Sequence, residues 1–184
     1  MKKIYFLTVI LLCLTGASFA QVTVSGSTGA NATYTSLTQA GGAFAAINAA
    51  GSQAGNNILI TITADVATED GANQLNNGGW TTLTINPSGG AARTLSGSVN
   101  GPLVSFNGAA NVTIDGLNAG GNFLTISNTS GGASASTIRF INDASGNTVT
   151  KCTLLGSSGN TLGTGFGIVY FGTGTVTGND NNTI

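Results

Sequence analysis

The 184-residue chain holds five Lys plus Arg, six Asp plus Glu and no His, and only 6% of its residues are charged, against roughly 25% in an ordinary globular domain. This composition excludes His-dependent acid–base chemistry, Ser-His-Asp triads and His metal sites. It also offers no basic patch for nucleic acid.

The chain begins with Lys2 and Lys3, an apolar run from Ile4 to Leu14, and Ser18-Phe19-Ala20, with small residues three and one positions before Gln21. This order predicts a secretory signal peptide over 1–20, cleaved before Gln21. The run is shorter than the roughly 20 residues a membrane span needs, and no later segment is apolar and long enough to cross. Leu12 stands before Cys13 where a lipidation site wants a small residue. Cleavage removes Lys2 and Lys3 and leaves three basic against six acidic side chains, a net charge of −3. Cys152 is then the only cysteine, and it reads as a small core residue.

Residues 21–57 are expected to form an N-terminal strand, Val22–Val24, and a capping helix. Ser36-Leu37-Thr38-Gln39 has capping-box spacing. Leu37, Ala40, Phe44 and Ile47 share a helical face, and Gly51 stands where a left-handed C-terminal cap belongs. Such a helix would cover the end of a β-stack, whose open edge otherwise invites aggregation.

From 58 to 184 the pattern is strand throughout: Ile58–Thr63, Thr82–Ile85, Thr94–Ser96, Leu103–Phe106, Val112–Ile114, Phe123–Ser127, Thr137–Ile141, Thr148–Leu154 and Gly167–Phe171, with shorter runs at Val176 and Ile184. Apolar residues alternate with Thr or Ser, as expected where one face is buried. Asn100-Gly101, Asn107-Gly108 and Asp115-Gly116 could be hairpin turns of an antiparallel β-sandwich. The internal repetition favours another arrangement. Ile114, Val149 and Ile184 lie 35 residues apart, preceded by Thr113, Thr148 and Thr183, and Phe106 and Ile141 keep that offset. A step of this size with several short strands predicts a solenoid, a right-handed parallel β-helix, with Ile and Val inside, Thr outside and Asn in hydrogen-bonded ladders at the turns.

The stretches Leu83-Thr84-Ile85-Asn86-Pro87-Ser88-Gly89, Arg93-Thr94-Leu95-Ser96-Gly97, Val112-Thr113-Ile114-Asp115-Gly116-Leu117, Thr137-Ile138-Arg139-Phe140-Ile141-Asn142-Asp143-Ala144 and Gly178-Asn179-Asp180-Asn181-Asn182-Thr183-Ile184 resemble the N-terminal part of large secreted β-helix proteins of Bacteroidetes-type bacteria. The resemblance runs from about Tyr34 to the end. It implies a right-handed parallel β-helix with an N-terminal helical cap, and secreted or cell-surface placement, often by the type IX route through a C-terminal sorting domain that this sequence lacks. The chain ends at Ile184 inside a predicted strand, so the expectation is the N-terminal part of a longer protein, followed by downstream β-helix coils. The alternative is a short protein whose open end a partner covers.

Parallel β-helices include polysaccharide lyases and hydrolases, and the best catalytic set here is Asp115, Arg139, Asp143 and Lys151. Each also has a structural reading: Asp115-Gly116 and Asn142-Asp143 are turn pairs, and Arg139 alternates out of a strand. Gly178–Asn182 is oxygen-rich but lacks the spaced acids of a calcium loop. Trp80, Tyr34 and Tyr170 are the aromatics suited to carbohydrate, with Trp80 more naturally a packing residue. The pairs Thr61/Thr63, Thr82/Thr84 and Thr148/Thr150 suggest an ice-binding face, yet they do not recur at a fixed interval. The leading expectation is therefore an exported, non-enzymatic β-helical scaffold or adhesin-like protein with no cofactor and no metal. Its ligand contacts, to extracellular polysaccharide or a host or neighbour cell surface, would come from Trp80, Asp115, Arg139, Asp143 and Tyr170. The alternatives are the N-terminal fragment of a polysaccharide lyase or hydrolase and an ice-binding solenoid.

Overall fold

The computed structural model describes residues 20–159 and 166–184. The predicted signal peptide, apart from Ala20, lies outside the described residues, as does Cys13. The rest is β-structure with one short helix. In chain order the elements are β1 (Val22–Ser25), β2 (Ala32–Tyr34), α1 (Ala43–Ala49), β3 (Asn57–Ile62), β4 (Leu75–Asn76), β5 (Thr82–Pro87), β6 (Ala92–Gly97), β7 (Pro102–Asn107), β8 (Val112–Asp115), β9 (Phe123–Asn128), β10 (Ser136–Ile141), β11 (Thr148–Thr150), β12 (Cys152–Gly156) and β13 (Gly167–Phe171).

Three sheets gather these strands, in the orders β11-β8-β5-β3-β1-β2, β12-β9-β6 and β13-β10-β7-β4. We call them the first, second and third sheets. From β5 onward the chain visits them in that order and returns to the first, so sequence neighbours never pair. Every strand pairing among β3 to β13 is parallel, and only β1 runs antiparallel, to β2 and β3. The hairpin expectation for Asn107-Gly108 and Asp115-Gly116 therefore fails. Those pairs carry the chain between sheets, with Gly108 at φ 66° and a left-handed Leu117-Asn118 step after Asp115-Gly116.

Parallel register sets like residues on like. Ile60, Ile85, Ile114 and Val149 form one buried row, and Leu95 and Ile126, continued by the partly buried Leu154, form another. The expected pairing of Phe106 with Ile141 is corrected by one residue: Phe106 pairs with Phe140, and Ile141 with Asn107. The offset is 35 residues from Ile114 to Val149 in the first sheet and 34 from Phe106 to Phe140 in the third, because the connecting loops absorb the difference. Phe140 thus stacks between Phe106 (centroids 5.2 Å apart) and Phe171 (4.9 Å). Burying an Ile, Leu or Phe side chain contributes about 1.5–3 kcal/mol, and these rows form one continuous core.

Two other boundaries move. The run Thr148–Leu154 is two strands in different sheets, because Lys151 adopts φ 55° and turns the chain between β11 and β12. Val176 lies outside any strand and is 90% exposed. At the N-terminal end, Ser36 Oγ does accept from Gln39 N–H (3.0 Å), but in a turn ahead of the helix, and Gln39 Nε2 donates to Thr68 C=O instead of reaching back. The helix begins at Ala43 with no side-chain cap, and Ala40 is exposed. Leu37, Phe44 and Ile47 are buried as expected, and Gly51 takes φ 79° past the helix end. Helix α1 packs against β4 and β1.

Candidate functional site

On the third sheet the outward positions of neighbouring strands bring three polar side chains into one row. Arg139 pairs in register with Ser105 on one side and Tyr170 on the other. Its Nε donates to Ser105 Oγ at 3.0 Å. Arg139 is half-buried between its neighbours, and that burial lowers its pKa, opposed by the nearby Tyr170 hydroxyl; an Arg nonetheless stays charged at neutral pH. Next to this row, at the ends of the same strands, an exposed carboxamide ladder forms. Asn142 Nδ2 donates to Asn107 Oδ1 (2.6 Å), and Asn107 Nδ2 donates to Asn76 Oδ1 (2.8 Å).

Asp143 is near Arg139 in sequence but has different partners. Its carboxylate accepts from Thr175 Oγ1 (2.5 Å) and from the backbone N–H groups of Thr175 (2.8 Å), Val176 (2.9 Å), Thr177 (3.2 Å) and Gly178 (2.9 Å). The Thr175 hydroxyl and these amides hold its pKa well below the usual carboxylate range. A carboxylate so fixed is a loop anchor, because a general acid needs a proton near neutral pH. Asp115 is on the first sheet. There Oδ1 caps the Leu117 N–H (2.8 Å), and Oδ2 lies 3.6 Å from Lys151 Nζ. The set Asp115, Arg139, Asp143 and Lys151 is therefore split into three places.

The Asn-rich segment Gly178–Asn182 uses its oxygens internally. Asn179 Oδ1 accepts from Ala144 N–H (3.0 Å), and Asn182 Oδ1 accepts from the backbone N–H and the Nδ2 of Asn147 (3.0 Å each). Buried Asn147 in turn accepts from Val112 N–H (2.9 Å). This is a second ladder, parallel to the exposed one.

Trp80 is buried, and its indole N–H donates to Ala110 C=O (2.8 Å). One edge of it lines a shallow cleft of about 280 Å³ with Ile47, Asn48, Asn77 and Gly78. Asn48 spends its amide there on Gln74 C=O and Asn76 N–H. Tyr34 donates to Ala30 C=O (2.7 Å) at the opposite side of the chain's start. Cys152 packs against the core, where burial pushes its thiol up to about 11.

The threonines of the 35-residue step, Thr113, Thr148 and Thr183, pair in register as expected. Thr84, Thr113, Thr148 and Thr183 form one row on the first sheet. Only Thr84, 29 residues before Thr113, falls outside the 35-residue step, because the connections there are shorter. The neighbouring outward row passes through Asn86 and Asp115, so hydroxyls do not fill it.

Sequence reasoning missed the buried polar anchors. Glu69 is 3% exposed and accepts from Leu37 N–H (2.7 Å), Thr38 N–H (2.7 Å) and Thr38 Oγ1 (2.5 Å). Burial raises its pKa despite those donors. Gln53 is fully buried, accepting from Ser27 Oγ and Thr28 N–H (3.0 Å each). Nothing local marks either residue, since their partners lie far away in sequence. Comparison of the chain with protein-family models, with curated proteins and with solved structures gave no match.

Proposed function

We propose that the chain is an exported, non-enzymatic scaffold of the cell surface, built as a right-handed parallel β-helix and continued by further coils of a longer parent protein. The observation that carries this reading is the ordered return of the chain to the same three sheets, with Ile on Ile, Phe on Phe and Asn on Asn. A wall built this way presents repeated polar side chains at a spacing of about 4.8 Å, which suits contact with an extended polymer. The dispersal of the acids supports a binding role over a catalytic one. Glycoside hydrolysis uses two carboxylates roughly 5–9.5 Å apart with a proton to transfer, whereas Asp143 is tied to a loop and Asp115 to Lys151.

The decisive experiment has two readouts. Antibody labelling of intact cells expressing the parent protein should detect this segment at the surface. Incubation of the purified protein with neutral and acidic polysaccharides should release no new reducing ends and no unsaturated product. Surface labelling that needs permeabilised cells, or product release lost on Asp115→Asn or Asp143→Asn, sinks the reading. The row Thr84, Thr113, Thr148 and Thr183 supports a second one, ice binding, and thermal hysteresis abolished by Thr113→Lys is its test.

A further inference from the structure

The row Ser105, Arg139 and Tyr170 has a property that packing alone does not require. Among the described residues only Lys151 has a carboxylate partner, Asp115, and Arg93, like Arg139, is held through Nε alone, to Ser88 C=O (3.2 Å). Arg139 is fixed at one point only, through Nε to Ser105 Oγ. Its two terminal nitrogens meet no acceptor among the described residues, and no carboxylate lies within ion-pair distance. Half-burying a cation without a counter-ion costs free energy, so the arrangement is one that an anion would relieve. Fixing Nε also orients the guanidinium plane, which prepares the remaining edge for a bidentate partner.

We propose that Arg139, flanked by Tyr170 and by the carboxamides of Asn107 and Asn142, forms a binding site for a carboxylate-bearing sugar within a glycan chain. The carboxylate would sit on the terminal nitrogens of Arg139. The Tyr170 ring and hydroxyl, on the adjoining strand, supply an amphipathic surface for a sugar ring. Asn107, the partly exposed last residue of β7, and Asn142, exposed just past β10, offer amides to ring hydroxyls. Asn107 stands two residues past Ser105, and Asn142 three past Arg139, so the polar groups spread over a patch the size of a sugar unit or two. The inference rests on the scaffold reading, in that a surface wall is where such a glycan would be met.

The test is calorimetric titration of the purified protein with trigalacturonate as the acidic probe and maltotriose as the neutral one, each with excess acetate as a competing free carboxylate. Trigalacturonate should bind and maltotriose should not. Arg139→Ala should weaken trigalacturonate by about tenfold or more. Arg139→Lys, which keeps the charge but loses the fork, should weaken it by a similar factor at an unchanged melting temperature. Tyr170→Phe should have a smaller effect than either. Equal binding of the two sugars, or trigalacturonate binding that survives Arg139→Ala, overturns the site, as does abolition of binding by acetate alone, which would mark a generic anion contact. Failure to bind either sugar also overturns it, while the scaffold reading stands or falls separately on the labelling of intact cells.

Discussion

At its N-terminal end the β-structure is covered; at the far edge, among the described residues, β12 and β13 are bare. On the covered end, α1 lays Phe44 and Ile47 on the core, the antiparallel β1 and β2 interrupt the parallel ladder, Glu69 satisfies the buried backbone amides of Leu37 and Thr38, and buried Gln53 accepts from the Ser27 hydroxyl. On the bare edge, β12 and β13 pair on one side only among the described residues. Leu155, Ile168 and Phe171 there are 49%, 45% and 46% exposed. The difference teaches that closing a parallel ladder takes more than apolar residues. A cap brings non-repeating backbone into the core, so it needs buried acceptors that a strand row does not.

The comparison is sharpened most by deleting one aromatic at each end. Phe44→Ala, in the cap, should destabilise by about 3–5 kcal/mol. Phe171→Ala, already half in water, should cost about 1–2 kcal/mol. Denaturant unfolding of both variants measures the gap, and equal costs would break the distinction between the ends.

Glu69→Ala should come next, at about 2–3 kcal/mol, because it leaves the Leu37 and Thr38 amides buried without an acceptor. Glu69 also gives the closed end a pH signature. Burial raises its folded pKa above the unfolded value. Its contribution is therefore fully present below the unfolded pKa and is lost as pH rises through the folded one. Wild-type protein should gain thermal stability as pH falls from neutral toward the ordinary Glu range, and Glu69→Ala should lack that gain.

At the bare edge, replacing Leu155 and Ile168 together by Lys should leave stability within about 0.5 kcal/mol while reducing self-association in sedimentation. Unchanged association would show that the exposed apolar edge is not the sticky surface. The smallest effect is expected near Asp143. Its folded pKa is depressed, so its contribution is present above the unfolded value and fades as pH falls through the folded one. Hydrogen exchange at the amides of Thr175 to Gly178 should quicken in strong acid, and already at neutral pH in Asp143→Ala.

Much of this was legible because strand rows obey a local rule. The alternation in Leu83-Thr84-Ile85 and Val112-Thr113-Ile114 identifies the buried face directly, and Gly51 marks the end of the helix. What stayed hidden depends on loop geometry. The turn at Lys151 carries no Gly or Pro, so Thr148–Leu154 reads as one strand. The one-residue change of offset that puts Phe140 on Phe106 is set by how the loops close. Of the candidate contacts, Arg139 and Tyr170 do share a face, whereas Trp80, Asp115 and Asp143 lie elsewhere. Spacing along a chain does not say which strands become neighbours.

The exposed carboxamide ladder has a direction. Asn142 donates to Asn107, and Asn107 to Asn76, while the Asn76 backbone N–H donates to Asn48 Oδ1 on the helix. The amide dipoles add head to tail, and each bond polarises the next. The row of three side chains is therefore electrically polar, with each Nδ2 donating toward the capped end, while the Asn142 backbone N–H donates the other way, to Thr173 C=O.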